Sequence, residues 1–288
     1  MMKNLLRTLV YDGQVSLTLA ETTALVAEGA RMHALSDTSA YLFGKALSAM
    51  TFMSACLKGE TGEISLSLKT SGAGGEIAVS GNRALYMRGY IENTKLSGAF
   101  NEETERAAFA ENGSLTIIRN DGYARPFVGA CAFPMSGGLD EAFEEYFRIS
   151  EQLPTRIATT VKIGEHGKVL FAGVAVLQPL PFADENTLQK VHAADLDKLL
   201  CDIQAQGVEC AAESAFGKDE RVWEVRTAAY KCNCSRQYLT RVLVSLGEEQ
   251  MRAIIREDGA VRIHCHYCNS DYAFDEKDAD ELFSKTNG

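Results

Sequence analysis

Four of the chain's eight cysteines fall into two tight pairs, Cys232-Asn233-Cys234 and Cys265-His266-Tyr267-Cys268, with thirty residues between them. A tetrahedral zinc ion takes four soft or borderline ligands, at about 2.3 Å when they are sulfur. Two close pairs on tight turns supply such a shell once the intervening residues fold back. The predicted metal ligands are therefore Cys232, Cys234, Cys265 and Cys268, holding one Zn2+. His264 and His266 could substitute, but each neighbours a cysteine that is better placed. A CxxC can also be a thioredoxin-type redox pair, which normally opens a helix after a strand. Here Asn269-Ser270-Asp271 and a strand-like run at 272–274 follow instead. Spacing alone leaves open whether the metal is a static scaffold or part of a switch.

A module of roughly 60 residues buries too little surface to be comfortably stable by itself. A structural zinc contributes on the order of 10 to 16 kcal/mol of apparent binding energy at neutral pH, so binding and folding become one event. The other cysteines, Cys56, Cys131, Cys201 and Cys210, have no partner at motif spacing. The first two are expected to be buried, inert thiols.

The 288 residues are more than one core usually organises, so a large domain with a smaller one is expected. Residues 5–11 and 15–19 are β-rich and flank Asp12-Gly13, a hairpin signal. A helix is predicted at 21–33. A second, nearly all-round apolar helix runs from an N-cap at Asp37 or Thr38 to Leu57, with Gly59 at its C-terminal stop. Strands are predicted at 64–68, 77–79 and 85–91, the last two joined by a Gly81-Asn82 turn, and at 115–119, 127–132, 157–163 and 169–177. An amphipathic segment spans 139–153. Strand and helix runs do not alternate regularly, so the class is α+β rather than a doubly wound sheet. After Pro179-Leu180-Pro181 the chain becomes polar and helical, closing at Gly207, and Trp223 is its only tryptophan. The resulting division is an N-terminal mixed α/β sheet domain at 1–181, a helical linker at 182–226 and a C-terminal zinc-binding domain at 227–288.

The strings Cys232-Asn233-Cys234-Ser235-Arg236, Leu246-Gly247-Glu248-Glu249 and Cys265-His266-Tyr267-Cys268-Asn269 resemble the redox-switch domain of the heat-shock protein 33 chaperones. Gly122-Tyr123-Ala124-Arg125-Pro126-Phe127-Val128-Gly129, Tyr146-Phe147-Arg148-Ile149-Ser150-Glu151-Gln152 and the Asp12-Gly13 region are similar to core segments of the same family. The resemblance runs through essentially the whole chain. It implies a holdase that is silent while reduced and zinc-bound. Oxidation would convert Cys232, Cys234, Cys265 and Cys268 into two disulfides, expel zinc, and unfold the switch domain and the linker. The exposed surface would then bind unfolded or misfolded client proteins, usually as a homodimer. Were the cysteines joined as Cys232 with Cys234 and Cys265 with Cys268, the new loops would be tiny. Such cross-links restore little of the constraint that the metal imposed across the long loop.

Other function classes find less support. A net charge of -10 argues against a polyanion binder. Within the cysteine module Arg236, Arg241, Arg252, Arg256 and Arg262 are offset by Glu248, Glu249, Glu257, Asp258 and Asp271, so a zinc ribbon for nucleic acid is disfavoured. No enzyme is expected. Ser71-Gly72-Ala73-Gly74-Gly75 lacks phosphate-loop and dinucleotide spacing, and Met135-Ser136-Gly137-Gly138 lacks the leading glycine of a nucleophile elbow. His33, His166 and His192 have no catalytic partner at recognisable spacing. No run of about 18 apolar residues predicts a membrane span. The opening residues carry no secretory signal, and the expected location is the cytoplasm.

Overall fold

The computed structural model describes residues 4–109, 111–122, 125–134, 136–217 and 224–284. Tyr123, Ala124, Met135 and Trp223 lie outside the described residues. The chain divides into two compact units, Met1–Lys231 and Cys232–Gly288.

In the first unit, strands β1 (Leu5–Val10) and β2 (Val15–Glu21) form the expected hairpin about Asp12-Gly13. Helix α1 (Thr23–Met32) leads to α2 (Asp37–Ala55), whose apolar character all round predicted burial. Every residue from Thr38 to Ala55 is indeed buried. The ends of α2 differ from expectation. Ser36 is the N-cap, its hydroxyl accepting from the Ser39 N–H, so neither Asp37 nor Thr38 is needed there. The helix also stops at Ala55, well short of Gly59. Cys56 and Leu57 bond back three residues to Met53 and Ser54, and this tightened turn brings Leu57 into the core.

Strands β3 (Glu63–Lys69), β4 (Glu76–Asn82) and β5 (Tyr86–Ile91) follow. The glycine-rich 71–75 segment is the connection between β3 and β4. A Cβ on Gly74 would lie 2.4 Å from the Phe109 ring, which explains one of those glycines. Gly81 and Asn82 do not make the next turn; both belong to β4, and the chain reverses through Leu85 at φ 61. Gly81 is small for another reason, since a Cβ there would lie 2.1 Å from Ser54 Oγ of α2. Helix α3 (Glu102–Phe109), which no pattern predicted, precedes β6 (Ser114–Asn120) and β7 (Phe127–Ala132). The amphipathic segment is split into α4 (Leu139–Tyr146) and a π-helical turn, Phe147–Glu151. Strands β8 (Arg156–Ile163) and β9 (Val169–Pro179) complete the expected second hairpin.

Helices α5 (Glu185–Ala193) and α6 (Leu196–Phe216) come next, capped by Asp184 and Asp195. Gly207 breaks α6 at φ 84 and ψ 169 but does not end it. The helix resumes because Val208, Ala211 and Ala212 again have a surface to bury against. Two short strands, β10 (Glu224–Arg226) and β11 (Ala229–Tyr230), close the unit.

The strands form one sheet in the order β10-β1-β2-β9-β8 and a second in the order β11-β5-β4-β3-β6-β7. Helix α2 touches β2, β8 and β9 of the first sheet and β3, β4 and β5 of the second. It is therefore the centre of a core of 40 buried apolar residues. Alternate residues of the first sheet, such as Leu6, Leu17 and Leu19, meet α5 and α6 in a second core of 16. With both faces covered, β2 is buried from Val15 to Ala20, its Ser16 and Thr18 included.

Helix α2 also carries the buried Lys45. Its Nζ lies 2.7 Å from Glu105 of α3 and 3.3 Å from Asp140 of α4. Tyr41 donates to Glu105 at 2.5 Å, and the Thr159 hydroxyl and N–H both donate to Asp140. One lysine between two carboxylates leaves an excess negative charge in the interior. Burial drives the Asp140 carboxyl up to about 6 against the pull of Lys45 and Thr159.

The second unit contains α7 (Arg236–Leu246), α8 (Glu248–Asp258), β12 (Val261–Cys265), β13 (Ser270–Phe274) and α9 (Glu276–Ser284). Its core has seven buried apolar residues, among them Leu243, Met251, Ile255 and Phe274. The acidic residues Glu276, Asp278, Asp280 and Glu281 lie on α9. It is tied down by Arg252, which pairs with Glu248, Glu276 and Asp280, and by Arg236, which pairs with Asp278.

Candidate metal centre

Each cysteine pair is delivered by a turn next to a regular element. Cys232 and Cys234 lie just before α7, whose N-cap Ser235 accepts from the Tyr238 N–H at 3.1 Å. The Cys234 N–H approaches the Cys232 sulfur at 3.5 Å, as in a metal knuckle where a backbone amide supports a thiolate. Cys265 ends β12 and is paired in register with Ser270, the first residue of β13. Between them the chain turns tightly: the Cys268 and Asn269 N–H groups both return to the Cys265 carbonyl, and Asn269 takes a left-handed φ of 54. The asparagine suits that position because its short polar side chain tolerates the left-handed region.

The four sulfurs converge. All lie within 4.8 Å of one another, with Cys232 Sγ 3.8 Å from Cys265 Sγ and Cys234 Sγ 3.0 Å from Cys268 Sγ. A tetrahedron with sulfur about 2.3 Å from a central zinc has edges of about 3.8 Å, so this cluster matches the size of a filled four-thiolate shell. The set is all sulfur, which favours zinc among the common divalent ions. His264 is not part of it: its Nδ1 bonds Asp271 at 2.8 Å, and its ring stacks edge-on with His266. Among the described residues this is the one group of His, Cys, Asp and Glu side chains close enough to hold a metal.

The surroundings act differently on the sulfurs. Burial pushes the Cys232 and Cys234 thiols up. Burial acts the same way on Cys268, but hydrogen bonds with Cys234 and Ser270 outweigh it and hold that thiol down to about 7. Tyr272, whose hydroxyl lies 3.4 Å from Cys234 Sγ, is pushed up to about 12 chiefly by that bond. Four crowded sulfurs that would repel one another as thiolates suit a cation, which replaces that repulsion with attraction. Tyr272 and Ser270 were not singled out by sequence, because their role depends on the hairpin register.

The remaining cysteines separate into two classes. Cys56 and Cys131 are partly buried against the main core, and burial pushes both thiols up, Cys131 to about 11. Cys201 and Cys210 are exposed on α6. His33, given no partner by sequence, has its Nε2 3.2 Å from the Tyr230 hydroxyl. No helix among the described residues is long and apolar enough to cross a membrane.

Comparison with known proteins agrees with this architecture. A family model described as "Hsp33 protein" matches residues 3–275. A "33 kDa chaperonin" of Geobacillus kaustophilus is 32% identical over 289 residues, covering 96% of each chain. One of Clostridium perfringens is 31% identical over 294 residues, covering 99% of this chain and 92% of its own. The crystal structure of a 33 kDa chaperonin from Thermotoga maritima superposes with a TM-score of 0.82 over 100% of both chains, at 23% identity, and so shares the fold.

Proposed function

The chain belongs to the Hsp33 chaperone family, and from that premise we propose that it is a redox-regulated holdase whose zinc-bound, reduced state is the inactive one. The observation that carries the reading is the convergence of Cys232, Cys234, Cys265 and Cys268 within 4.8 Å in a module with seven buried apolar residues among the described ones. Zinc bound there joins the start of the module to its far hairpin and supplies the constraint that so small a core lacks.

An oxidant such as peroxide takes two electrons from each thiol pair. Two disulfides form, and two peroxides, each taking up two electrons and two protons from the thiols or the solvent, leave as four waters. Paired as Cys232 with Cys234 and Cys265 with Cys268, the new bonds close only tiny loops, and zinc loses all four ligands. The module then unfolds, and the linker that precedes it, α5 and α6 included, loosens with it. The surface so uncovered binds unfolded or misfolded proteins and keeps them from aggregating, with the active form a homodimer in the cytoplasm. The chain acts by binding and carries out no catalysis.

Peroxide with mild heat is the direct test. One zinc should leave per chain as four thiols disappear, and the product should suppress aggregation of a thermally unfolding client, while the reduced protein does not. An oxidised, zinc-free protein that leaves the client to aggregate would overturn the reading. Peptide mapping by mass spectrometry identifies the pairing, since the cross-paired alternative, with Cys234 joined to Cys268, keeps the long loop closed.

A further inference from the structure

Residues 224–231 form a strap that edges both sheets of the first unit. Strand β10 pairs antiparallel with β1, Leu5 opposite Arg226, and the Asn4 side chain bonds both the N–H and the carbonyl of Ala228. Strand β11 then pairs with β5 in parallel, although it is only two residues long. The Ala229 N–H donates to the Leu85 carbonyl at 3.0 Å and the Lys231 N–H to the Met87 carbonyl at 2.8 Å. Beyond this point the strap leaves the edge, and a side chain completes the pairing. The Tyr230 hydroxyl donates to the Gly89 carbonyl at 2.8 Å and accepts from the Gly89 N–H at 3.2 Å. A phenol thus does what the backbone of a longer strand would do.

The Tyr230 ring sits in a socket made by an absent side chain. A Cβ on Gly29 would lie 3.1 Å from that ring and 2.9 Å from the ring of Phe43. His33 of the adjoining turn marks the polar end of the socket. The site therefore recognises two things: an extended backbone, through carbonyls and N–H groups of β5 that read no sequence, and one aromatic side chain.

We propose that the outer edge of β5, together with the Gly29–Phe43–Gly89 socket, is a binding site for extended segments of unfolded polypeptide that carry an aromatic residue. Residues 224–231 occupy it as an internal stand-in. The assignment rests on the chaperone reading for its purpose and deepens it by giving clients a place. The occupant is identified by what already fills the edge. Strand addition binds many sequences through main-chain hydrogen bonds and selects through alternate side chains, as a holdase for diverse clients requires. A two-residue strand is a weak occupant, and a longer segment can replace the phenol at Gly89 with its own backbone. The strap also ends at Lys231, covalently next to the metal ligand Cys232. Loss of the metal releases the strap's C-terminal anchor.

The test uses full-length protein and a labelled peptide of sequence EVRTAAYK, corresponding to residues 224–231. Ala229→Pro removes the N–H that bonds Leu85 and should free the edge while one zinc per chain remains bound. Reduced, zinc-loaded Ala229→Pro should bind the peptide about tenfold more tightly than wild type, the effect of losing one backbone hydrogen bond and the pairing around it. A peptide with its tyrosine replaced by alanine should bind about tenfold more weakly. Oxidised wild-type protein should bind the tyrosine peptide as the variant does, and this arm decides the matter if Ala229→Pro does not fold. Equal binding by strapped and unstrapped protein, or equal binding of the two peptides, overturns the site. Peptide binding without client protection would instead sink the holdase reading and leave the site standing, whereas client protection without peptide binding does the reverse.

Discussion

The two units solve the problem of stability in opposite ways. In the first, α2 is buried along its length between two sheets, and cores of 40 and 16 apolar residues hold the layers together. In the second, seven buried apolar residues serve five short elements, and four sulfurs converge where more core would be needed. Apolar burial cannot be withdrawn by a chemical signal, whereas metal ligation by thiolates can. The proposed redox switch rests on this difference.

The largest effect that could break this contrast is removal of the metal. A structural zinc contributes on the order of 10 to 16 kcal/mol, so Cys268→Ser or a strong chelator should unfold the second unit and leave the first intact. Circular dichroism should then show the loss of α7, α8 and α9 alone. If the apo module keeps its helices, the metal is not what folds it.

The next largest lies in the first unit. Lys45→Met leaves the buried Glu105 and the partly buried Asp140 without their cation and should cost about 3 to 5 kcal/mol in urea denaturation. A cost near zero would mean that the network is not a load on the core. No sequence pattern signals this network, because Lys45, Glu105 and Asp140 lie on three different helices.

The same network gives the first unit a pH dependence. The Asp140 carboxyl is raised to about 6 in the folded chain, against about 3.9 when unfolded. The folded state therefore holds that proton more tightly, and the contribution is fully present below about pH 4 and lost as pH rises through about 6. Asp140→Asn should flatten stability across that window. A variant that keeps the slope assigns it to other groups.

The smallest effects belong to the second unit. Ser235→Ala removes the N-cap of α7 and should cost about 1 kcal/mol with zinc bound. The same change should raise the rate of zinc loss to a chelator, since the cap seats Cys232 and Cys234. Unchanged release would show that the knuckle holds its shape without the helix.

Legibility in the sequence followed the range of the interactions. Strands at 64–68, 115–119 and 127–132 and the helix α2 were readable because their apolar periods are local. Helix α3 was missed because it is short and polar, with only Glu105, Ala108 and Phe109 buried. Strands β10 and β11 were missed because they exist only through partners far away in the chain, Leu5 opposite Arg226 and Tyr86 opposite Ala229. Gly207 misled because a glycine that breaks a helix reads the same as one that ends it. The cysteine cluster was legible from spacing alone, but its supports, Tyr272 and Ser270, are set by the β12–β13 register.

Hydrogen–deuterium exchange, read by mass spectrometry on the reduced zinc-bound chain and on the oxidised metal-free chain, tests the central claim most directly. The account predicts that oxidation abolishes protection across Cys232–Gly288, while β2, β3, β4 and α2 stay protected. Protection that persists in the oxidised module, or that is lost equally from both units, would contradict it.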